Sequence, residues 1–530
     1  MEMSSVHSVY NPFQIMLNSF VYICIQKGCN SHHNKRQIFN FTSGTMKKQN
    51  LLIYLLLAVF QTFAISKEQP VAPPAPLYPI PTERQLAWQE MEQYAFIHFT
   101  TNTFTGKEWG YGDESPDVFN PSGMDVNQWI KTVKEAGLKA VVLTCKHHDG
   151  FCLWPSQYTE HSVKNSKWKN GQGNVVKEVA DACHKNGLKF GVYLSPWDRN
   201  RADYGTTSYV EYYRNQLREL FTAYGPVFEM WFDGANGGDG FYGGAREKRK
   251  IAGATYYDWP KTLNMVRKIE PNVIFFSDAG PDIRWCGNES GTIGETNWST
   301  INSDSIYAGK SGIENLLNSG EENGKNWIPA EVDVSIRPGW FYHAEEDSKV
   351  KTPEKLFEIY LSSVGRGSNL ILNIPPDRRG LIHENDIKAL QGWKKLIDET
   401  FKINLALKAK VNADSYRGNS KIYAPSNVTD HNKKTYWATN DNLTTGNLEI
   451  NLGSKKNVKY IVIQEYIQLG QRVKSFAVSV WKNNKWEEAA KGSTIGYKKI
   501  IKLEPTDTEK VKVEIIASKA SPLISNIEVF

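Results

Sequence analysis

A carboxylate at the end of an apolar segment is the first residue whose type and position suggest chemistry. Asp233 follows residues 226–232, a run rich in aromatic and β-branched side chains, and precedes Gly234. Such a run is typical of a short buried strand. Parallel α/β barrels carry their reacting groups where the strands end, so Asp233 is a candidate catalytic carboxylate. Its alternative role is to cap a following helix.

Polar and aromatic side chains also occur at the ends of the other predicted strands. His98 lies in a predicted strand at 94–99, and His147 and His148 follow one at 138–144. The remaining candidates of this kind are Tyr193, Trp197, Trp231, Arg284 and Glu289. A single histidine is usually structural, whereas three histidines with carboxylates and indoles at strand ends indicate a functional site.

Two other kinds of chemistry have less support than acid–base chemistry with carboxylates. His147 and His148 are neighbours, so on an extended chain they point in opposite directions and do not easily share one ion. No His-Glu-x-x-His motif and no Gly-x-Ser-x-Gly motif occurs in the sequence. We therefore expect no catalytic metal. Paired carboxylates remain, and they suit glycoside hydrolysis, which needs one ionised and one protonated carboxyl group.

Alternating helices and strands are predicted to position these residues. Helices at 125–136, 175–185 and 209–224 each precede a buried strand, and further strands are predicted at 272–276 and 368–373. This alternation predicts parallel strands with crossover helices, and a (β/α)8-like TIM barrel over residues 82–402 is the expected α/β fold. A doubly wound open sheet is the alternative, but no Gly-rich phosphate loop follows the first strand.

The pattern changes after Lys402. Short alternating runs at 448–452, 458–463, 475–481 and 511–516 are separated by turn residues. They predict a C-terminal β-sandwich over residues 403–530.

The N-terminal region predicts export. Residues 46–66 have the basic start, the apolar run and the small residues of a signal peptide, with cleavage near Ala64 or Ser66. Met46 is then the true start, and residues 1–45 are an upstream extension. Residues 67–81 are predicted to form an extended Pro-rich linker. We therefore expect a periplasmic or secreted protein.

Charge and cysteine content exclude several classes. The net charge of +6 is spread without Lys/Arg clusters, which gives no support for nucleic-acid binding or stable membrane insertion. Beyond the predicted signal peptide, Cys145, Cys152, Cys183 and Cys286 form neither a disulfide framework nor a zinc motif, so buried free thiols are expected.

Several sequence blocks together resemble a known family. Residues 96–100, 146–151, 194–199, 230–234 and 280–289 are similar, in this order, to the family 29 glycoside hydrolases, the α-L-fucosidases. The Ser-Pro-Trp-Asp-Arg and Gly-Asn-Glu blocks resemble the subfamily that cleaves α-1,3- and α-1,4-linked fucose from Lewis-type branched glycans. The alternatives are an α-L-fucosidase of broad specificity, acting on α-1,2-linked and aryl fucosides, and an inactive carbohydrate-binding barrel.

The resemblance implies roles for the candidate residues. The family is retaining and uses no metal. Its nucleophile is the Asp of the Trp-Phe-Asp-Gly block and its general acid/base is the Glu of the Gly-Asn-Glu block, which implies Asp233 and Glu289 here. Glu295 is the alternative acid/base. The implied contacts of the fucosylated substrate are His98, His147, His148, Tyr193, Trp197, Trp231, Arg284, Glu331, Arg337 and Trp340. For Glu331 and Arg337, a structural ion pair at the barrel rim is an alternative of equal weight to substrate contact.

The C-terminal region has its own resemblance. Residues 424–438 are similar to discoidin-like domains, the coagulation factor 5/8 type C sandwiches. Many of these domains bind galactose-type sugars and many only brace a catalytic domain, and bracing is the favoured role here. The resemblance also allows a structural calcium ion in this domain.

Overall fold

Eight parallel strands form a closed barrel in the computed structural model, which describes residues 71–530. The predicted upstream extension and signal peptide lie outside the described residues. The barrel strands are β1 (Gln93–Ile97), β2 (Ala140–Lys146), β3 (Lys189–Leu194), β4 (Glu229–Trp231), β5 (Ile274–Ser277), β6 (Ile283–Trp285), β7 (Ala330–Ser335) and β8 (Asn369–Asn373). Each strand pairs with its neighbour along the chain, and β1 pairs with β8, which closes the barrel. The predicted TIM-like barrel is confirmed.

Helices connect most of these strands. They are α1 (Glu83–Gln89), α2 (Thr101–Thr105), α3 (Val126–Glu135), α4 (Val175–Asn186), α5 (Thr207–Ala223), α6 (Trp259–Ile269), α7 (Glu314–Ser319), α8 (Pro353–Ser362) and α9 (Glu384–Thr400). Only residues 278–282 join β5 to β6, so no helix lies between these two parallel strands. The barrel is therefore TIM-like but irregular on the side that leads to Glu289.

Local sequence explains where the helices before β2 and β3 begin and end. The Asp125 side chain accepts hydrogen bonds from the first backbone N–H groups of α3, and Asn174 does the same for α4. Gly187 ends α4 in the left-handed conformation, with φ of 71°, which a residue with a side chain rarely adopts. These caps set the point at which each following strand enters the barrel.

Aromatic side chains fill the barrel interior. Tyr94, Phe96, Tyr193, Trp231 and Phe276 are buried together there. Helix α1 lies at the amino ends of the strands, and its Trp88 belongs to the same cluster. Because large rings fill the interior, the open space is left at the carboxyl ends of the strands.

The C-terminal domain is a seven-stranded antiparallel sheet that encloses one apolar core. Its strands are β9 (Lys410–Ala413), β10 (Trp437–Ala438), β11 (Gly446–Glu465), β12 (Val473–Lys482), β13 (Lys485–Gly492), β14 (Lys499–Ser518) and β15 (Leu523–Val529). Register shifts divide the pairing of the two 20-residue strands β11 and β14. Both ends of β11 contribute to the core, through Leu448 and Ile450 and through Ile461 and Ile463. This arrangement is consistent with the predicted sandwich.

The described part of the predicted linker, residues 71–81, is not a free tether. The backbone N–H of Leu77 donates to the oxygen of Leu469 at 2.9 Å, and Arg472 donates to the oxygen of Ala75 at 2.6 Å. Val71 packs against the aromatic cluster of Tyr423 and Tyr436. The segment is therefore part of the surface of the C-terminal domain, which its proline content did not indicate.

Two further expectations concern thiols and membranes. All four cysteines of the described chain are buried and free, as predicted. Within residues 71–530, no helix has the length and apolar character needed to cross a bilayer.

Candidate active site

A cavity of about 380 Å³ opens at the carboxyl ends of the barrel strands. Eight of the sequence-predicted site residues line it: His98, His147, His148, Tyr193, Trp231, Asp233, Glu289 and Trp340. They come from β1, β2, β3, β4 and the segments after β6 and β7, so closure of the barrel brings together side chains that are far apart in sequence.

Asp233 lies in this cavity two residues beyond the end of β4. Its Oδ2 accepts the hydroxyl hydrogen of Tyr193 at 2.8 Å and lies 3.7 Å from Nε2 of His148. Its Oδ1 accepts the backbone N–H of Ala235 at 2.7 Å. The side chain is 23% exposed, and the segment that follows leads to the small strand Gly238–Gly240 instead of a helix. The carboxylate is thus oriented by two hydrogen bonds, remains open to a ligand and caps no helix.

Two histidines present an acceptor nitrogen to the cavity. Nδ1 of His98 lies 2.8 Å from Oδ1 of Asn373, whose amide nitrogen already donates to Ser335 and to the oxygen of Trp340. An amide oxygen only accepts, so Nδ1 of His98 carries the proton.

The same argument determines which ring nitrogen of His148 carries the proton. Its Nδ1 lies 2.7 Å from the hydroxyl of Ser195, which donates its own hydrogen to the oxygen of Trp197 at 2.6 Å. Nδ1 of His148 must therefore donate, which leaves Nε2 as the acceptor on the side of Asp233.

Burial keeps these histidines neutral. It lowers the pKa of His98 to about 3, against the effect of the Asn373 hydrogen bond, and lowers that of His148 to about 4, against the effect of Asp233. The pKa of His147 is lowered well below its usual value, first by burial and then by the neighbouring His148 and His98. Neutral imidazoles are suited to accepting hydrogen bonds from hydroxyl groups.

Glu289 lies at the mouth of the cavity, on the segment that follows β6. Its Oε2 accepts the indole N–H of Trp340 at 3.1 Å. Loss of water around the carboxyl group raises its pKa, the Trp340 hydrogen bond opposes this, and the charges of Asp233 and Glu108 add to the increase. A carboxyl group that keeps its proton beside an ionised one is the arrangement that acid–base catalysis on a glycosidic bond requires.

Four of the predicted substrate contacts do not line the cavity. Trp197 is buried behind His148, with ring centroids 5.1 Å apart, and its N–H donates to Tyr242. Glu331 is buried in the barrel interior, where Oε1 accepts the Trp231 indole N–H at 2.9 Å. Both side chains support a residue of the cavity instead of lining it, so the structure gives no support for these two predicted contacts.

The two arginines are structural. Arg284 is fully buried, and its guanidinium donates to the backbone oxygens of Leu317 and Trp298. Arg337 forms ion pairs of 2.9 Å with Asp386 and Asp347, which matches the alternative role considered for it. Neither guanidinium is available to a ligand.

The alternative acid/base is also placed outside the cavity. Glu295 is 69% exposed and forms ion pairs with Arg366 and with Lys499 of the C-terminal domain, the latter at 3.3 Å. It therefore belongs to the contact between the domains.

Several residues of the cavity escaped the sequence-based prediction. They are Phe96, Trp109, Asp278, Asp333 and the segment 309–311 with Glu314. The sequence did contain a signal for Asp333. It is two residues from Glu331 on β7, so the alternation of side chains along a strand places both on the inner face. Trp109 and residues 309–311 lie in irregular segments, where no periodicity indicates which way a side chain points.

Asp278 and Asp333 add two buried acids to the cavity. The pKa of Asp278 is raised to about 6, chiefly by burial, although the Gly309 N–H donates to its Oδ2 at 2.7 Å. Burial raises the pKa of Asp333 well above its usual value, and Glu289 and Asp233 add to this effect. The cavity is thus rich in carboxyl groups, five of which line it: Asp233, Asp278, Glu289, Glu314 and Asp333.

No group of three or more His, Cys, Asp or Glu side chains within the described residues is arranged so that it could hold a metal ion. The calcium ion expected in the C-terminal domain stays a prediction.

Comparisons with known proteins identify the families that the two domains resemble. Residues 77–398 match the family Alpha-L-fucosidase, and residues 410–529 match the F5/8 type C domain. The chain is 39% identical to alpha-L-fucosidase 1 of Arabidopsis thaliana over 92% of this chain and 94% of the relative.

Solved structures resemble it over most of its length. A glycoside hydrolase 29 family member from an unknown rumen bacterium is 44% identical, with a TM-score of 0.77 over 86% of this chain and 78% of the other. A Ruminococcus gnavus GH29 fucosidase in complex with fucose is 33% identical, with a TM-score of 0.79 over 87% and 97% of the two chains. Together with the acidic cavity, these matches show that the chain belongs to the α-L-fucosidases of glycoside hydrolase family 29 and carries a C-terminal F5/8 type C domain.

Proposed function

We propose that this α-L-fucosidase is a retaining exo-enzyme that removes α-1,3- and α-1,4-linked fucose from Lewis-type branched glycans. The observation that carries the reaction type is the placement of Asp233 and Glu289 around one cavity, where loss of water raises the pKa of Glu289. Two carboxyl groups in different environments can divide the roles of nucleophile and acid.

The proposed reaction is a double displacement. In the first step a carboxylate oxygen of Asp233 attacks the anomeric carbon, the glycosidic bond breaks, and Glu289 gives its proton to the departing oxygen. In the second step Glu289 takes a proton from water, the water oxygen attacks the same carbon, and the bond to Asp233 breaks. Fucose leaves with its original anomeric configuration, and Glu289 is protonated again.

The remaining residues of the cavity suit one deoxy sugar. Nε2 of His98 and of His148 can each accept a hydrogen bond from a sugar hydroxyl group. Trp231, which stacks on Phe276 at 4.0 Å, and Phe96 offer apolar surface to the C–H groups and to the methyl group of fucose. The Ruminococcus gnavus relative, which was solved with fucose, supports this assignment of the ligand.

Two sequence blocks and the residues around the mouth of the cavity support the proposed linkage preference. The Ser-Pro-Trp-Asp-Arg and Gly-Asn-Glu blocks resemble the Lewis-cleaving subfamily. Trp109, which is 53% exposed, Trp340 and residues 309–311 surround the opening beside Glu289. An exposed indole at this position can stack on a second sugar of a branched glycan.

A substrate panel tests the proposal. Purified residues 67–530 are incubated with Lewis a and Lewis x trisaccharides, 2′-fucosyllactose and an aryl α-L-fucoside, and free fucose is measured. Release from the Lewis sugars without release from 2′-fucosyllactose is expected. Release from 2′-fucosyllactose and the aryl fucoside instead would support the broad-specificity alternative. Binding of fucose without release from any substrate would support the inactive carbohydrate-binding alternative.

We also propose that the protein is exported. The support is the signal-like sequence at 46–66, which lies outside the described residues. N-terminal sequencing of the protein recovered from the periplasm or the medium of an expressing bacterium tests this proposal. A start near Ser66 is expected, and a product that stays in the cytoplasm with Met46 at its start would contradict it.

A further inference from the structure

Asp333 is a carboxyl group of the cavity whose surroundings differ from those of Asp233 and Glu289. Asp333 lies on β7, is 2% exposed and lines the cavity. Its Oδ1 accepts the Trp285 indole N–H at 2.9 Å, which leaves Oδ2 for the cavity. Asp333 is therefore placed to contact a sugar.

Acidic groups face Asp333 from several elements. Glu289 and Asp233 approach from the segments after β6 and β4, and Glu331 lies on the same strand. The Cys286 thiol, which burial keeps neutral, is the other titratable neighbour, on the segment after β6. The residue that pairs with Asp333 on β8 is the apolar Ile371.

Basic groups do not balance these charges. The strongest influences on the Asp333 carboxyl group are burial, Glu289, the Trp285 indole and Asp233, and none of these is basic. Lys310, which also lines the cavity, donates to the oxygen of Ser305 at 2.6 Å. An ionised Asp333 would thus add a buried, unpaired negative charge next to the nucleophile, which is costly.

Carboxyl groups already occupy four of the hydrogen-bond donors around the cavity. Tyr193 donates to Asp233, and Trp340 donates to Glu289. Trp231 donates to Glu331, and Trp285 to Asp333 itself. Nε2 of His98 and of His148 is an acceptor. The sugar's oxygens need donors as well as acceptors, and the lining side chains with a donor left are Trp109, His147, Lys310 and Ser311. A protonated Asp333 adds a donor on β7, where none of these lies.

We propose that Asp333 is protonated in the working enzyme and donates a hydrogen bond from Oδ2 to an oxygen of the bound sugar. It is then a substrate-binding acid, distinct from the nucleophile and from the acid/base. This inference rests on the proposed fucosidase activity and is independent of the linkage preference.

Two substitutions separate a protonated donor from a carboxylate. In Asp333→Asn the amide oxygen can accept from Trp285, and the amide nitrogen can donate where Oδ2–H did. We expect Asp333→Asn to keep kcat/KM within about threefold on a fucoside of the panel that the wild-type enzyme cleaves. Asp333→Leu has a similar volume and no donor, and we expect it to lower kcat/KM by about 10- to 100-fold, as loss of one substrate hydrogen bond does.

The pH profile gives an independent measurement. If Asp333 is neutral, Asp333→Asn leaves the alkaline limb of kcat/KM in place, since no charge near Glu289 is lost. If Asp333 is ionised, its charge helps to hold the proton on Glu289, and Asp333→Asn moves that limb to lower pH. A displaced limb, or a loss of activity in Asp333→Asn as large as that in Asp233→Asn, would overturn the proposal.

Controls keep this test separate from the test of the main function. Activity of the wild-type enzyme on at least one fucoside of the panel must be established first, and its absence from all of them would count against the proposed function alone. Thermal unfolding shows whether each variant is folded. If Asp333→Leu does not fold, Asp333→Asn and its pH profile decide the question without it.

Discussion

Residues of similar chemistry do different work in this cavity because their neighbours differ. Asp233 receives hydrogen bonds from Tyr193 and from the backbone of Ala235, both of which favour a negative charge. Glu289 receives one hydrogen bond and lies near two other acids, Asp233 and Glu108, which favour its protonated form. The proposed division into nucleophile and acid thus follows from the surroundings of the two residues and not from residue type.

Asp233→Asn should abolish fucose release, because the amide cannot form the proposed covalent intermediate. We expect kcat/KM on an aryl fucoside to fall by at least about 10³-fold, since the covalent step depends on this group. Asp181→Asn, a substitution of an exposed helical carboxylate, is the matched control and should leave kcat/KM unchanged. Normal activity in Asp233→Asn would place the nucleophile elsewhere.

Glu289→Gln should have an effect that depends on the leaving group. Donation of a proton matters most for a sugar leaving group, so release from a Lewis trisaccharide should fall further than release from an activated aryl fucoside. The acid must be protonated, so wild-type kcat/KM should decline as pH rises through the raised pKa of Glu289, and this decline should be absent in Glu289→Gln. Equal losses on both substrates would contradict the acid/base assignment.

Segments between strands fix the walls of the cavity. Glu108 accepts the backbone N–H of Trp340 at 2.7 Å and contacts Nε2 of His343 at 2.6 Å, which holds the segment that carries Trp340. On the opposite side, Asp278 accepts the N–H of Gly309, which holds the wall formed by residues 309–311. Carboxylates outside the reacting pair therefore determine the shape of the opening.

Gly234→Ala tests the wall that includes residues 309–311. A Cβ at Gly234 would lie 2.1 Å from Oδ2 of Asp278, so the carboxylate must move and its hydrogen bond to Gly309 must weaken. We expect kcat/KM to fall by about tenfold or more, because small displacements at an active site are costly. Gly123→Ala, where the nearest atom is 4.0 Å from the added Cβ, is the control and should be active. Unchanged kinetics in Gly234→Ala would show that this wall does not affect the reaction.

The two domains of the described chain are joined at the segment that carries the proposed acid/base. After Glu289 the chain reaches Asn297 and Ser299, and Gln471 of the C-terminal domain donates to the oxygen of Asn297 at 2.9 Å and accepts the N–H of Ser299 at 2.7 Å. Thr494 accepts the N–H of Asn297 at 2.8 Å. These contacts favour the bracing role expected for the C-terminal domain.

Gln471→Leu should therefore weaken both stability and proton donation. It leaves two buried backbone groups unpaired, at about 1–3 kcal/mol each in the free energy of unfolding. If the segment that carries Glu289 loosens, release from a Lewis trisaccharide should fall more than release from an activated aryl fucoside. Gln172→Leu, at an exposed position of the barrel, is the control. Reduced stability with an equal loss on both substrates would show that the contact is structural only.

The sequence predicted most of the barrel because its signals are local. Asp125 and Asn174 cap the starts of α3 and α4, Gly137 and Gly187 follow their ends, and the strands after them are continuous apolar runs. The run at 226–232 was predicted to be a longer strand than the observed Glu229–Trp231. The extent of a strand depends on its partners, and β3 and β5 pair with β4 over only these few residues.

By itself the sequence determined the fold class, the family and the two proposed catalytic carboxylates, because these depend on residue types in short blocks. Only the tertiary structure decided which neighbours face the cavity. Trp197, Arg284, Glu331 and Arg337 have types that suit a sugar site, yet barrel closure turns them into buried supports. Asp333 and Trp109 enter the cavity instead, since the direction of a side chain at a strand end is set by packing between segments that are distant in sequence.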